Sequence, residues 1–378
     1  LVVPLVFVSL VCGVMALSDI RAVGRIGGKA IALYLATTAV AITIALALAV
    51  MTSPGNGLDK ASKAVFEAKP SPSIVQTLID LVPSNPIWAM ANGAMLQIIV
   101  FSLIFGIAIA LAGERGQRIA NIFNDFNEVV MKMVSVVMAI APYGVFCLIA
   151  KTFATQGIDL ILPLASYFLT VTGALLIQVC LVYTGLLWSL GRLNPLVFVR
   201  KMRAAMIFAF STASSNATIP VTIDAVENRL GVRNSVASFT VPLGATINMD
   251  GPAIMQGVAT IFIANVYGVS LGIPEFLTVI LTATLASIGT AGVPGVGLIM
   301  LAMVLNQVGL PVEGIALIIG VDRLLDMMRT AVNITGDAAV TCIIARSENA
   351  LDEEIFNDPD AGQIEAGSLK FDKTAAAA

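Results

Sequence analysis

Histidine is absent from all 378 residues. That excludes Ser-His and Cys-His nucleophiles, histidine-ligated zinc or haem, and an imidazole switch near neutral pH. No G-x-x-x-x-G-K occurs, so the chain has no P-loop to cradle nucleotide phosphates. The four cysteines, Cys12, Cys147, Cys180 and Cys342, form no C-x-x-C pair and have apolar neighbours. Packed core thiols are expected, not a disulfide or a metal site. Charge is also scarce: 12% of residues are Asp, Glu, Lys or Arg, against roughly 25% in soluble proteins, and 58% are hydrophobic. The 21 basic and 24 acidic residues nearly cancel, which argues against a nucleic-acid partner. What remains is the composition of an all-α, polytopic membrane protein.

Residues 1–17 are uncharged and open without methionine inside an apolar run, which reads as part of a membrane helix whose start lies upstream. Further spans are expected at 27–51, 95–112, 133–150 and 160–190, with a polar connection over 52–83. Two stretches do not fit a simple span. Residues 203–224 hold the polar run Ser211-Thr-Ala-Ser-Ser-Asn-Ala-Thr218 at their centre, followed by Pro220. Residues 276–308 hold Ser287-Ile-Gly-Thr-Ala-Gly-Val-Pro-Gly-Val-Gly297. Both read as re-entrant hairpins, because polar or irregular backbone at membrane depth must be buried in protein or line a cavity. Between them a span over 234–267 is interrupted at Asn248-Met-Asp-Gly-Pro252. Paired interrupted segments in two halves point to a secondary-transporter site at the midplane. With both hairpins counted as re-entrant, fourteen Lys and Arg fall on one side and four on the other, which puts the C-terminus in the cytoplasm. The acidic tail from Glu348 is expected to be disordered.

The last hydrophobic segment carries Asp322, Arg323, Asp326, Arg329 and Asp337. Each costs at least roughly 2.5 kcal/mol in hydrocarbon, so charge there implies function. At about 100° per residue, Asp322, Asp326, Arg329, Asn333 and Asp337 share an arc of about 80°. An arginine fork suits a carboxylate and a nearby aspartate suits an ammonium, so Arg329 and Asp326 together suit both ends of an acidic amino acid. Asp337 beside Asn333 and Asp250 beside Asn248 offer hard oxygen ligands for a Na+-type ion, with proton coupling as the competing reading. A rival of another class is an intramembrane aspartyl protease with Asp250 and Asp337 as a dyad. Ile334 stands where a G-x-G-D motif needs glycine.

Ser214-Ser215, Asn248-Met-Asp-Gly251, Gly289-Thr-Ala-Gly-Val-Pro-Gly295 and the run from Asp326 through Asn333 to Asp337 resemble the dicarboxylate/amino acid:cation symporter family, which includes the excitatory amino acid transporters. The resemblance implies no enzyme but a homotrimer in a prokaryotic inner membrane. A scaffold (residues 1–26, a partial second helix, and 78–158) would flank a polar loop at 53–77. A transport domain (27–52 and 159–347) would move by an elevator displacement with inverted repeats, and 348–378 would be a cytoplasmic tail. Relative to the family, the first spanning helix is missing.

The same resemblance places Arg329 on the substrate's side-chain carboxylate, Asp326 on its ammonium, and Asn333, Thr330, Ser214, Ser215, Met249, Pro252, Val293 and Gly297 around it. It implies Na+ at three groups: Asp337 with Asn248, Gly244 and Asn333; Thr246 with Ser287, Ile288 and Thr290; and Asp250 with Tyr34, Thr37 and Thr38. No organic cofactor is implied. Three departures stand out: Pro252 where relatives carry threonine, and Ala213 and Met327 where different relatives carry arginine. The reading favoured is Na+-coupled uptake of aspartate or glutamate. C4-dicarboxylate or neutral amino acid carriage, with proton coupling, is the alternative.

Overall fold

A computed structural model describes residues 2–15, 20–56, 82–92, 94–156, 161–288, 292 and 294–362. Among these no strand occurs beyond one isolated bridge, Val232 to Leu351. The helices are α1 (Val2–Met15), α2 (Ile20–Thr52), α3 (Pro86–Asn92), α4 (Met95–Leu111), α5 (Gly113–Gln156) and α6 (Ile161–Ile177). They continue with α7 (Pro195–Thr212), α8 (Ser215–Asp224), α9 (Asn234–Ile247), α10 (Asp250–Tyr267), α11 (Ile273–Ser287), α12 (Val296–Gln307), α13 (Ile315–Ser347) and α14 (Glu353–Asn357). Two stretches, Arg25–Thr52 and Leu162–Gly191, are helical, long and apolar enough to cross a bilayer. The expected span at 133–150 is part of the single 44-residue helix α5.

Two features show why the chain breaks where it does. Asn194 caps α7 by accepting from the Leu196 amide, with Pro195 at the first helical position where its missing N–H costs nothing. At the other end Ala213 adopts φ 50°, a left-handed conformation that ends α7, and Ser214 starts α8 by accepting from the Ala217 amide at 3.2 Å. The second break is narrower than the Gly-Pro pair suggests. Only Asn248 and Met249 leave helical geometry, while Gly251 and Pro252 lie in the first turn of α10, where proline is tolerated.

Hydrophobic packing divides the helices. The main buried cluster draws on α2, α6, α7 and α9 through α14, from Ala30 to Phe356, with half-buried Ile219, Val221 and Ile223 of α8 packed against it, and among the described residues on none of α1, α3, α4 or α5. A second cluster joins Val8, Ala89, Ile98 and Val130 of those four helices to Ala286 of α11 and to Val296, Met300 and Met303 of α12. The pair α11–α12 therefore touches both bodies.

Two expectations are corrected here. The tail after α13 is folded through residue 362, while 363–378 lie outside the described residues: Phe356 is buried, and Lys201 donates to the carbonyls of Arg229 (2.7 Å) and Ile355 (2.6 Å). Hydrogen bonds from Lys29 and Arg25 of α2 hold the Glu348 carboxyl below its ordinary range. An acidic tail folds because it meets fixed cations and carries one large apolar anchor. Of the four cysteines expected in the packed core, only Cys342 is buried; Cys12 is half-buried, and Cys147 and Cys180 are exposed.

Candidate functional site

Helix α13 spans about 50 Å at 1.5 Å per residue, and its polar ladder is buried along its length. Arg329 is fully buried. Its Nη1 donates to Asp322 Oδ1 at 2.7 Å and its Nη2 to Asp326 Oδ1 at 3.0 Å. The free Asp326 Oδ2 accepts from the Gly295 amide at 3.1 Å, tying the start of α12 to the ladder. A methyl placed on Gly297 would lie 3.2 Å from Met255 Cε, 3.6 Å from Arg329 Nη2 and 3.7 Å from Pro252 Cβ. The guanidinium is therefore bordered by acidic oxygens on one side and an apolar wall on the other. Among the described residues Arg329 Nε has no hydrogen-bond partner.

The broken helix meets α13 one to two turns further on. Asn333 Oδ1 accepts from the Gly251 amide at 2.8 Å, and its Nδ2 lies 3.3 Å from Met249 Sδ. Gly251 is required by contact, since a Cβ there would lie 2.6 Å from the Arg329 carbonyl oxygen. Asn248 Nδ2 donates to Asp337 Oδ1 at 2.8 Å. Among the described residues Asp337 Oδ2 is buried with no hydrogen-bond partner, and Gly244 packs closely against the carboxylate on its Oδ1 side, since a Cβ there would lie 2.7 Å from Asp337 Cγ and 2.8 Å from Tyr34 Oη. Asp250 Oδ1 accepts from Thr38 at 2.6 Å, while Thr37 reaches Asn248 Oδ1 at 3.4 Å. Tyr34 is not hydrogen-bonded to Asp250; its hydroxyl donates to the Thr240 carbonyl at 2.9 Å.

The helix tips converge. Ser214 Oγ donates to the Gly292 carbonyl at 2.7 Å, and the Asn216 amide reaches the same oxygen at 3.1 Å. Ser215 is buried beside it. Ser287 Oγ donates to the Ile247 carbonyl at 3.2 Å, next to the helix break, with Ile288 half-buried alongside. The hydroxyls of Thr246 and Thr330 bond back to Pro242 and Asp326 within their own helices. Thr290 and Val293 lie outside the described residues. Of the other positions singled out, Arg323 is exposed and Met327 half-buried, so neither adds a charge to the cluster.

Sequence reasoning gave Asp322 no role beyond the ladder, though its seven-residue spacing to Arg329 placed both on one face. It missed Gln178 and Tyr183, which donate to Asp250 Oδ2 at 2.8 and 2.7 Å. No local pattern marks them. Asp250 and Asp337 do not hydrogen-bond to one another and use different donors, unlike a dyad sharing one proton.

Buried carboxylates on a broken helix, beside an ion-paired arginine and under two polar helix tips, define a membrane transporter and not an enzyme. The model of the sodium:dicarboxylate symporter family matches residues 1–347, and the chain belongs to that family. It is 39% identical over 388 aligned positions to the proton/glutamate-aspartate symporter of Escherichia coli (strain K12), covering 99% of this chain and 87% of that protein. It is 34% identical to the C4-dicarboxylate transport protein of Bacillus subtilis (strain 168), covering 93% and 85% of the two chains. Identity to an excitatory amino acid transporter of Caenorhabditis elegans is 36%, covering 89% and 76%.

Proposed function

We propose that the protein is a Na+-coupled symporter that imports aspartate or glutamate across a prokaryotic inner membrane. The observation that carries the substrate class is Arg329 flanked by Asp326, a buried cation and anion separated by one helical turn. A substrate carboxylate takes the guanidinium while the released Asp326 takes the ammonium. A C4-dicarboxylate gives Asp326 no partner, and a neutral amino acid leaves the buried guanidinium unsatisfied. Thr330, Asn333, Ser214, Ser215, Met249, Pro252, Val293 and Gly297 border the same place in this reading.

Sodium coupling is supported by the oxygen-rich surroundings of Asp250 and Asp337. Among the described residues neither is paired with Lys or Arg, and Asp337 Oδ2 lacks any donor. Hard cations take this donor set of carboxylate, amide, hydroxyl and backbone oxygen. Asn333 and Gly244 complete the group at Asp337, and Thr246, Ser287, Ile288 and Thr290 form a second. The name of the Escherichia coli relative favours a proton as the alternative coupling ion.

In this reading α7–α8 and α11–α12 are re-entrant hairpins of two inverted repeats, and the main packing cluster is the moving body of an elevator. Residues 1–26 and 78–158 are its static scaffold, and the C-terminus is cytoplasmic. A homotrimer is supported by α5, where Ile119, Ile122, Phe126, Val129, Met133 and Val136 recur every three or four residues and are all exposed. Their first half alternates with Asn121, Asn124, Asp125 and Glu128, a polar setting in which an apolar seam calls for a protein partner.

The test is a binding titration of purified protein with aspartate, glutamate, serine and succinate, with and without sodium. Aspartate and glutamate are expected to bind at least about tenfold tighter than serine and succinate, one lost charge contact costing more than about 1.4 kcal/mol. Equal affinity for succinate would remove Asp326 from substrate recognition.

A further inference from the structure

From α6 onward the chain stays helical to Gly191, but Gln178–Tyr183 and Leu187–Gly191 are π-helical turns. π turns inside longer helices are rare and concentrate at functional sites. Their consequence here is geometric. Gln178 and Tyr183 are five residues apart, which in an α-helix leaves side chains about 140° from one another. With i→i+5 bonding both arrive at one atom, Asp250 Oδ2, at 2.8 and 2.7 Å. Both side chains are buried, at 0% and 1% exposure. The other oxygen, Oδ1, is left to α2, where Thr38 donates at 2.6 Å. A neighbouring helix also makes room: a Cβ on Gly336 would lie 2.5 Å from the Tyr183 hydroxyl.

We propose that Gln178 and Tyr183 are positioning residues for the cation at Asp250. Two donors fill the lone pairs of Oδ2, so Oδ1 alone remains for an ion, directed to the hydroxyls of Thr37 and Thr38 and the amide oxygen of Asn248. The π turn is the device that allows one helix to supply both donors. Selectivity then follows from orientation, because a carboxylate fixed through one oxygen presents a single ligand at set distance, whereas a free one binds bidentate and accepts larger cations. This inference rests on reading Asp250 as a cation-binding carboxylate.

The experiment uses the full chain, with Tyr183→Phe and Gln178→Met made separately, and Thr184→Val as a control on the same helix whose hydroxyl only bonds back to Cys180. The readouts are the sodium concentration for half-maximal aspartate binding and the aspartate Kd at saturating sodium. Each variant is expected to raise the sodium requirement about tenfold, in line with the 10–100-fold losses seen when outer partners of metal ligands are removed. Aspartate Kd at saturating sodium should stay within about twofold, and Thr184→Val should change neither value. Unchanged sodium requirement in both variants overturns the inference, as does an equal loss of aspartate affinity at saturating sodium, which marks a merely structural role. Sodium-independent binding in the parent protein overturns the coupling reading instead, and is visible before any variant is made. If one variant does not fold, the other carries the same comparison, since the two donors act on one oxygen.

Discussion

Arg329→Ala should abolish measurable binding of aspartate and glutamate. The guanidinium has no exposed surface and is held by Asp322 and Asp326 at 2.7 and 3.0 Å. Removing one partner of a buried charge group costs about 3–5 kcal/mol, or roughly a hundredfold to several thousandfold in affinity. Lysine is not a substitute, since a point charge cannot reproduce a fork that keeps Asp322 on one arm while the other arm passes from Asp326 to a substrate carboxylate. Two buried aspartates left without their cation will also lower stability. The double variant Asp322→Asn with Arg329→Ala should therefore melt higher than Arg329→Ala alone while still failing to bind aspartate. Calorimetric titration and thermal melting in detergent separate the two effects. Retained aspartate affinity in a folded Arg329→Ala protein would remove the residue from the substrate site.

Asp326→Asn should have the second largest effect, and a selective one. Its carboxylate touches Arg329 through Oδ1 and the Gly295 amide through Oδ2, so it stands between the guanidinium and the start of α12. Asparagine keeps the shape and loses the charge that an ammonium needs. Aspartate affinity should fall by roughly ten- to a hundredfold, given about 1.5–3 kcal/mol for a charge-assisted hydrogen bond. Succinate should bind as well as in the parent or better, because it has no ammonium to lose. A parallel fall for both compounds would mean that Asp326 acts only by orienting Arg329.

The ladder on α13 was legible because charge is rare in this chain. Five strongly polar residues on one arc of a largely apolar helix have no lipid-facing solution, and the structure buries all five. The helix break was legible from Asn248-Met-Asp-Gly-Pro252, although it falls three residues earlier than the Gly-Pro pair suggests. Gln178 and Tyr183 were hidden because a π turn leaves no mark in hydrophobic periodicity, and their α-helical phase puts them on different faces. The folded tail was hidden for another reason. Its order depends on contacts made far away in sequence, Lys29 with Glu348 and Lys201 with the Ile355 carbonyl, which local composition does not encode. The role of Asp322 needed the Arg329 rotamer, which spacing alone does not give.

Uptake of labelled aspartate into proteoliposomes, driven in turn by an inward sodium gradient and by an inward proton gradient without sodium, tests the central claim most directly. The account predicts concentrative uptake with the sodium gradient only, abolished in Arg329→Ala. Equal uptake with the proton gradient in sodium-free buffer would contradict it, and would assign the carboxylates of Asp250 and Asp337 to protons in place of sodium.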